Sequence, residues 1–512
     1  MADLVADLAV VGFGGAGAAA AIAAADLGAR VVIVEKQRQG AHTPSTRMSG
    51  GIVFAVNDAD AGARYLDRCG GGMIPLEVSR AWAQKATTLV SWLDEIGADL
   101  ALRRIGGAEH PAFEGAGAID VYQQGRLRDG TSVVPPATDA TARAASGWTT
   151  TERMNPDYRT GEEYFGALTA CISRRPSITV LWESPARRLL TGGDGRVTGV
   201  EVSGLAGPRR VHARQGVVLA SGGYEFDERL KLNYLKAYPI HFYGNPDNTG
   251  DGIRLAQAVG ADLWHMNQMV GRAIGHFELD GRVLNFNLGI DPPGYVITDR
   301  RGRRYANEYP QAQQKHNFYY EMLAFDADRD EYPRIPSYWF FDERRMRART
   351  LTPLGVGAVR MGFYPWSPDN EREVEFGWIK RGPSFEEVAV AAGIEDPEQA
   401  ARMLHDYNRA CAAGVDPLGR PAESLVPLDR PPFYCVPVHP GGSNTCGGPR
   451  KNEHAQVLDP EGRPIPGLYA AGELGEAVGL LYPADGANLS ESICFGRIAA
   501  EHALGAELTP VP

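Results

Sequence analysis

Cysteine is scarce in this chain: 512 residues contain only six. None of the six forms a CxxC or CxxCH pair, which excludes a zinc ribbon, an iron–sulfur cluster of local spacing and an attached c-type haem. Sparse thiols without nearby partners in the sequence are typical of a reducing compartment. We therefore expect reduced cysteines, no metal site and a cytoplasmic location.

Positive charge is also in short supply. The 52 lysines and arginines are outnumbered by 63 aspartates and glutamates, which leaves a net charge of −11. Nucleic acids are bound through a basic face, so we expect no nucleic-acid partner. Residues 1–7 are acidic and lack the basic start of a secretory signal.

A long run of large apolar side chains is missing as well. Residues 8–25 carry no charge and reach the length of a membrane span, yet they consist mainly of glycine and alanine rather than leucine and phenylalanine. A buried strand followed by a buried helix explains this composition better. We therefore predict no transmembrane span.

Glycine, by contrast, is plentiful. It accounts for 61 of the 512 residues, well above the usual share of about 7%. Proline, with 35 residues, is only slightly enriched, which excludes a collagen-like or low-complexity chain. Single cores stop growing at about 250–300 residues, so the length predicts more than one domain. Surplus glycine in a globular chain indicates that backbone approaches a ligand closely, and a cofactor is the obvious choice.

A nucleotide-binding unit is predicted at the start of the chain. An apolar strand at residues 7–11 leads into a glycine-rich turn, an alanine-rich helix and a second strand that ends at Glu35. In this pattern the glycines allow the tight turn, the approach of a pyrophosphate and the packing of helix on strand. The helix N-terminus offers free N–H groups to phosphates, and the acid accepts hydrogen bonds from a ribose. The glycine-rich turn contributes Gly12, Gly14, Gly15, Ala16 and Gly17. The unit alone does not choose between FAD and NAD.

Four later segments resemble the fumarate reductase/3-ketosteroid dehydrogenase superfamily of FAD-dependent oxidoreductases. They are the Ser-Gly-Gly loop at 48–51, the strand and Gly-Gly turn at 216–224, the Thr-Gly-Asp-Gly element at 248–254, and the strand ending in Ala-Gly-Glu at 467–473. The resemblance implies FAD as the cofactor. It also implies further FAD-binding residues, namely Lys36, Ser49, Gly50, Gly51, Ala186, Gly222, Gly223, Asp251, Gly472, Glu473, Asn488 and Leu489.

The resemblance also implies the domain organisation. We expect an α/β fold, with a Rossmann-like FAD-binding domain of the glutathione-reductase type formed by residues 1–262 and 437–512. An inserted α+β domain at 263–436 would cap the substrate. One amphipathic helix is readable within it, with Asp396 as the N-cap, Pro397 at the first helical position and Gly414 at the stop. Residues 103–160 are interpreted as loops without an assigned role.

The superfamily moves a hydride between a carbon–carbon bond and flavin. The positions where its dicarboxylate reductases carry cationic or proton-donating groups hold Ala312, Pro483 and Asn444, which argues against fumarate as the substrate. The segment 482–486 resembles the Tyr-Pro-Gly-x-Gly element of the ketosteroid dehydrogenases. By this resemblance the hydroxyl of Tyr482 and the N–H of Gly486 hold a ketone oxygen, which gains charge as the α-proton leaves.

The sequence leaves several assignments open. The base of the family falls on Ala312, so Tyr309 and Asp485 are the alternatives, and Asp485 could instead orient the tyrosine. Arg272, with Asn444 and Thr445, would bind a substrate. Non-covalent FAD is favoured over attachment through His42.

We therefore predict an FAD-dependent dehydrogenase that desaturates a bond next to the ketone of a steroid or a smaller cyclic substrate, with an external electron acceptor or donor. The alternatives are an enone or enoate reductase on the same scaffold and, from another class, a flavin redox sensor or electron-transfer subunit. The proposed cap and the Tyr482/Gly486 pair favour an enzyme.

Overall fold

The structure is a computed structural model that describes residues 3–124, 160–204, 207–292, 294–312 and 316–505. Most of the predicted loop region 103–160 therefore lies outside the described residues. Strands are numbered β1–β20 and helices α1–α16 along the described chain.

An eight-stranded sheet forms the larger layer of the molecule. Its order is β19-β20-β9-β1-β2-β6, with β8 pairing to β9 and β7 to β8. The strands β20, β9, β1, β2 and β6 run parallel, as expected for a nucleotide-binding sheet. The bounds are β1 (Leu4–Val11), β2 (Val31–Val34), β6 (Ile178–Leu181), β7 (Ala186–Thr191), β8 (Val197–Gly204), β9 (Gly207–Leu219), β19 (Gln456–Leu458) and β20 (Pro464–Ala470).

A second, seven-stranded sheet lies mostly within the segment predicted to form the cap. Its order is β13-β12-β17-β15-β14, and the short strands β10 and β16 also pair with β17. The bounds are β10 (His241–Phe242), β12 (Met269–Leu279), β13 (Arg282–Asn287), β14 (Tyr295–Thr298), β15 (Ser337–Asp342), β16 (Lys380–Gly382) and β17 (Phe433–Thr445). Strand β17 runs across the predicted boundary at 436/437, so the division of the chain into domains stays a prediction.

Two smaller sheets complete the strands. They are a three-stranded sheet in the order β3-β5-β4 and the pair β11 and β18. Their bounds are β3 (Ile52–Val56), β4 (Leu102–Gly106), β5 (Ile119–Gln124), β11 (Leu263–Trp264) and β18 (Gly448–Pro449). The fold is α/β, as predicted.

Sixteen helices lie in the described part of the chain, besides three short 3₁₀ turns. The first eight are α1 (Gly15–Asp26), α2 (Ser45–Met48), α3 (Ala59–Gly70), α4 (Leu76–Ala86), α5 (Leu89–Glu95), α6 (Thr160–Ser173), α7 (Glu228–Tyr234) and α8 (Asp251–Gln257). The others are α9 (Tyr309–Ala312), α10 (Tyr319–Met322), α11 (Glu343–Ala348), α12 (Gly357–Arg360), α13 (Glu371–Glu375), α14 (Phe385–Ala392), α15 (Pro397–Ala413) and α16 (Ala487–Ala503).

The uncharged run near the N-terminus folds into β1 and α1, which are almost wholly buried. Helix α1 packs against both the sheet and the last helix, α16, and small residues allow this close approach. A Cβ on Gly496 would lie 2.5 Å from the carbonyl oxygen of Ala16. Among the described residues, none of the helices has the length and apolar character needed to cross a membrane.

Helix α15 confirms the one helix predicted within the cap. The side chain of Asp396 accepts a hydrogen bond of 2.9 Å from the N–H of Gln399, so it acts as the N-cap. Gly414 ends the helix in a left-handed conformation, with φ +68°.

Candidate functional site

One long cleft runs along the carboxyl ends of β1, β2, β9 and β20 and continues beside strands β12 and β13 of the second sheet. It is lined by residues from both sheets and from the start of α16. Most of the predicted cofactor residues line it, namely Gly12, Gly14, Gly15, Ala16, Glu35, Lys36, Ser49, Gly50, Ala186, Gly222, Asp251, Gly472, Glu473, Asn488 and Leu489.

Three predicted glycines stand behind the cleft wall rather than on it. A Cβ on Gly17 would lie 2.1 Å from the carbonyl oxygen of Gly12, which is the close packing of helix on strand that the fingerprint predicts. Gly51 has φ +58°, and a Cβ on Gly223 would lie 2.3 Å from the hydroxyl oxygen of Thr445. These glycines therefore do not line the cleft; their lack of a side chain lets neighbouring segments pack closely behind its wall.

The mouth of the nucleotide unit presents an anionic carboxylate. Glu35 accepts hydrogen bonds from the N–H groups of Phe13 (2.9 Å) and Gln37 (2.8 Å). Burial opposes its ionisation, but the contact with His42 and the hydrogen bond from the Gln37 N–H outweigh it, so the pKa of Glu35 lies below its ordinary value. The imidazole of His42 sits 3.6 Å from this carboxylate and packs edge-on against Trp182.

Further along the cleft, Lys36 and Asp251 form an ion pair of 2.7 Å. The pair joins the end of β2 to the start of α8. Burial opposes the ionisation of Asp251, yet the Lys36 ammonium beside it lowers the pKa of this carboxyl. The two side chains thus fix each other at the edge of the cleft.

Buried carboxyl groups cluster beside the turn that follows β20. Glu473 accepts hydrogen bonds of 3.1 Å from Ser45 Oγ and Asn248 Nδ2. Burial, and then the neighbouring Glu225, raise the pKa of Glu473 to about 8. Near neutral pH its carboxyl group is therefore largely protonated, so it can donate as well as accept hydrogen bonds. Glu491 accepts from the N–H of Gly472 at 3.0 Å and thereby holds the turn itself.

Tyr482 and Gly486 lie together in the cleft wall just before α16. The phenol oxygen of Tyr482 accepts from the N–H of Asn488 at 3.4 Å, and within the described chain its own O–H meets no acceptor. Burial, followed by the charge of Glu476, raises the pKa of Tyr482 well above its ordinary value, so the phenol stays protonated. The N–H of Gly486 likewise has no acceptor among the described residues. Two hydrogen-bond donors thus remain available in the wall.

Gly486 is also required by the backbone. Its φ of +84° is left-handed, and a Cβ there would lie 2.6 Å from the carbonyl carbon of Ile52. The position therefore fixes the entry into α16 against strand β3.

The other predicted site residues divide between the wall and the layer behind it. Arg272 and Asp485 line the cleft, whereas Tyr309, Asn444 and Thr445 do not. The backbone N–H of Tyr309 donates to Asn307 Oδ1 at 3.0 Å.

Asn444 and Thr445 form part of a hydrogen-bond network behind the cleft. Asn444 Nδ2 donates to Glu476 at 3.2 Å, and its Oδ1 accepts from Asn488 Nδ2 at 2.5 Å. The hydroxyl of Thr445 lies 3.0 Å from Glu225. Both side chains therefore position other residues of the wall.

The sequence did not predict two residues of the site: His316, which lines the cleft, and Glu109, which lies behind it. His316 lines the cleft with its ring centroid 4.3 Å from that of Tyr482. Its Nδ1 lies 3.0 Å from Glu109 Oε2, and its Nε2 lies 2.6 Å from an Nη atom of Arg272. The one available signal was that His316 follows Ala312, where the family places its base, by four residues. Glu109 lies in the segment interpreted as loops, where the sequence carries no signal.

These contacts determine which nitrogen of a neutral His316 imidazole carries the hydrogen. A guanidinium group only donates hydrogen bonds, so Nε2 of His316 accepts from Arg272. A neutral imidazole then carries its hydrogen on Nδ1, which donates to the Glu109 carboxylate. Glu109, His316 and Arg272 therefore form one directed hydrogen-bond chain, in which Arg272 is only 5% exposed.

Comparison with known proteins agrees with this geometry. The family model described as "FAD binding domain" matches residues 7–489. The chain is 30% identical over 343 residues to the 4-oxocyclohex-2-ene-1-carboxylate 5-dehydrogenase of Sinomonas cyclohexanicum, and the match covers 62% of this chain and 55% of that protein. It is 26% identical to the 3-oxosteroid 1-dehydrogenase of Mycolicibacterium smegmatis, with 96% of each chain covered.

Among solved structures, the chain is similar to the 3-ketosteroid Δ1-dehydrogenase from Sterolibacterium denitrificans. The TM-score is 0.80 at 22% identity, and the match covers 98% of this chain and 100% of the other. That likeness concerns the fold. The match to the Sinomonas dehydrogenase spans little more than half of that protein's length.

Proposed function

The chain belongs to the FAD binding domain family of oxidoreductases, and from that premise we propose that it is a dehydrogenase that desaturates a carbon–carbon bond next to a ketone. The observation that carries the proposal is a pair of donors, the Tyr482 hydroxyl and the Gly486 N–H, that meet no acceptor among the described residues and lie in the wall of the cleft that contains the predicted FAD residues.

The residues of the cleft fit FAD. Ala16 lines the cleft at the start of α1, and its N–H has no acceptor among the described residues, which suits a pyrophosphate. The Glu35 carboxylate suits ribose hydroxyls, and the neutral carboxyl of Glu473 suits a polyol chain. When bound, FAD supplies the acceptor for the β-hydrogen and its two bonding electrons.

We further propose that FAD is held without a covalent bond. His42, the residue considered for attachment, is committed elsewhere: its Nε2 faces Glu35, and its ring packs against Phe13 and Trp182. It therefore belongs to the nucleotide end of the cleft and helps to orient the ribose-binding acid.

The two donors in the cleft wall are assigned to the ketone oxygen because of the charge that develops there. A ketone oxygen becomes negative as the α-proton leaves, and donors already in place stabilise that charge without reorganising. Because the phenol of Tyr482 stays protonated, it can donate throughout the reaction. The rigid left-handed backbone at Gly486 keeps the second donor in position.

For the substrate we propose a cyclic ketone that carries a carboxylate. Arg272 is buried in the cleft wall, and no described carboxylate contacts its guanidinium; its one partner there is an imidazole. A buried cation of this kind favours an anionic ligand. An external electron acceptor would then reoxidise the flavin.

The test is product analysis with the purified flavoprotein and a dye as acceptor. We expect 4-oxocyclohexanecarboxylate to yield an unsaturated ketone with two fewer hydrogens, and a 3-ketosteroid to react more slowly. If no ketone is desaturated, while cyclic enones are consumed by the dye-reduced protein, the proposed direction is wrong and a reductase remains. If neither class reacts, a sensor or electron-transfer role gains support.

A further inference from the structure

We propose that His316 is the base that removes the substrate's α-proton, that Glu109 is its positioning residue, and that a substrate carboxylate exposes the base by drawing Arg272 away from it. The inference rests on the proposed ketone chemistry, but removal of the proton can be measured separately from hydride transfer.

The base must face the same carbonyl group that Tyr482 polarises, because the α-carbon is bonded to the carbonyl carbon. His316 satisfies this condition, since its ring lies against the ring of Tyr482 in the cleft wall. Asp485 lines the cleft too, but no hydrogen bond from a described residue orients its carboxylate.

The tautomer of His316 is also correct for a base. Glu109 holds the hydrogen on Nδ1, which leaves the lone pair of His316 on Nε2, the nitrogen directed toward Arg272 and away from Glu109. The same carboxylate binds the backbone N–H of His316 at 2.9 Å, so ring and backbone are fixed together. The imidazolium that forms would be stabilised by this carboxylate.

Glu109 is in turn attached to the segment that holds the oxygen. Its N–H donates to the carbonyl of Pro483 at 2.9 Å, next to Tyr482. The neighbouring His110 contacts the carbonyl of Tyr482 through Nε2 at 3.1 Å. The base and the donor for the enolate are therefore built on one connected piece of structure, which preorganises them for the same substrate.

Arg272 explains how the base can discriminate between a ketone that carries a carboxylate and a neutral ketone. In the structure its guanidinium donates to Nε2 of His316, so the lone pair is occupied. A carboxylate forms a stronger, charge-assisted hydrogen bond with a guanidinium than a neutral imidazole does. A bound keto acid would therefore take over Arg272 and release Nε2, whereas a neutral ketone would leave the base covered.

The proton step is balanced in atoms and electrons. The α-carbon–hydrogen bond breaks and its proton goes to Nε2 of His316. The electron pair left on the α-carbon forms a double bond to the carbonyl carbon, and the π pair of the carbonyl bond moves to its oxygen. That enolate oxygen accepts hydrogen bonds from Tyr482 and Gly486. The later loss of the β-hydrogen is the desaturation already proposed and is not needed for this step.

The experiment is hydrogen–deuterium exchange. The full-length, FAD-loaded protein is reduced with dithionite, so that no hydride can leave the substrate, and is mixed with 4-oxocyclohexanecarboxylate in D₂O. Exchange of the α-hydrogens is followed by NMR. We expect the wild-type protein to catalyse exchange, and His316→Asn to slow it by roughly 10²-fold or more. His276→Asn, which changes a cap histidine outside the cleft lining, should exchange like the wild type.

Two further comparisons address the roles of the neighbours. Glu109→Gln should slow exchange, and Glu109→Asp should restore part of it, because the carboxylate rather than the side-chain volume holds Nδ1–H. The neutral analogue 4-oxocyclohexanecarboxamide should exchange slowly in the wild type and faster in Arg272→Met, while the keto acid shows the opposite order. Bound FAD and the circular dichroism spectrum verify that each variant is folded.

The outcomes separate the two proposals. Exchange without desaturation by the oxidised protein would support the base and refute the dehydrogenase. A folded His316→Asn variant with wild-type exchange would overturn the base, as would a wild-type protein that desaturates the keto acid yet shows no exchange. Slower exchange of both substrates in Arg272→Met would overturn the uncovering of the base.

Discussion

Replacing Tyr482 by phenylalanine removes one oxygen and little else. The ring is packed among buried apolar residues and against His316, and phenylalanine keeps those contacts. Among the described residues, one hydrogen bond to the phenol oxygen is lost, and it is long, 3.4 Å from the N–H of Asn488. The free energy of unfolding should therefore fall by no more than about 1 kcal/mol. The effect on the reaction should be much larger, because the phenol is one of two donors assigned to the enolate oxygen.

Loss of one such donor lowers the rate of the chemical step roughly 10²–10³-fold, equivalent to about 2.7–4 kcal/mol. The assay is rapid mixing of oxidised Tyr482→Phe protein with 4-oxocyclohexanecarboxylate without oxygen, with flavin absorbance as the signal. The rate at saturation should fall by that factor, with a smaller change in the substrate concentration for half saturation.

A matched control is Tyr434→Phe, which removes a buried phenol that donates to Glu343 at 2.6 Å, outside the cleft lining. It should alter stability and leave the rate of flavin reduction unchanged. Full-rate reduction by Tyr482→Phe would refute the role of the phenol in holding the oxygen.

Three other predictions follow from the site. Gly486→Ala places a side chain 2.6 Å from Ile52 at φ +84°, so thermal unfolding should show a loss of stability of about 1–3 kcal/mol or more, and an unchanged melting temperature would contradict the close approach. In the folded protein the pKa of Glu473 is raised to about 8, so the contribution of this carboxyl group to stability is present below its ordinary pKa of 4.5 and is lost as pH rises toward 8. The free energy of unfolding in urea, measured on cofactor-free protein, should therefore depend less on pH between these values in Glu473→Gln than in the wild type. An equal dependence on pH in the two proteins would argue against a buried neutral carboxyl group. Acid precipitation should release the flavin into the supernatant, since His42 is committed to Glu35, and flavin retained in the pellet would indicate a covalent bond.

The parts of the site in which the backbone itself approaches the cofactor or another segment could be predicted from the sequence. Gly12, Gly17 and Gly51 stand where a Cβ would meet neighbouring backbone, so these positions in the sequence indicate where one segment approaches another closely. The match of the family model to residues 7–489 confirms FAD as the cofactor. The tyrosine and glycine at the start of α16 were found because they are four residues apart in a recognisable element.

The groups proposed for proton transfer could not be predicted in the same way. Glu109 and His316 are separated by 207 positions, and neither belongs to a motif. Only the folded chain places the loop that follows β4 beside the Tyr482 segment and the start of α10. The prediction of Tyr309 as a base relied on proximity in sequence, and its side chain does not line the cleft.

The buried carboxyl cluster was equally hidden. Glu225 and Glu473 lie 248 residues apart in the sequence. The Ala-Gly-Glu motif identified Glu473 as a cofactor residue, but no motif contains Glu225 or places it beside Glu473. Burial raises the pKa of both carboxyl groups, and the charge of Glu225 raises that of Glu473 further. Both effects arise from how the folded chain packs and leave no pattern in the sequence.

The central claim, that the cleft oxidises a ketone next to its carbonyl group, is tested most directly by one anaerobic titration. The oxidised protein is mixed with increasing 4-oxocyclohexanecarboxylate while the flavin spectrum and the organic product are recorded. We predict bleaching of the flavin in step with one equivalent of the unsaturated ketone. A flavin that stays oxidised with this and other cyclic ketones, but is reoxidised by enones after reduction, would contradict the claim.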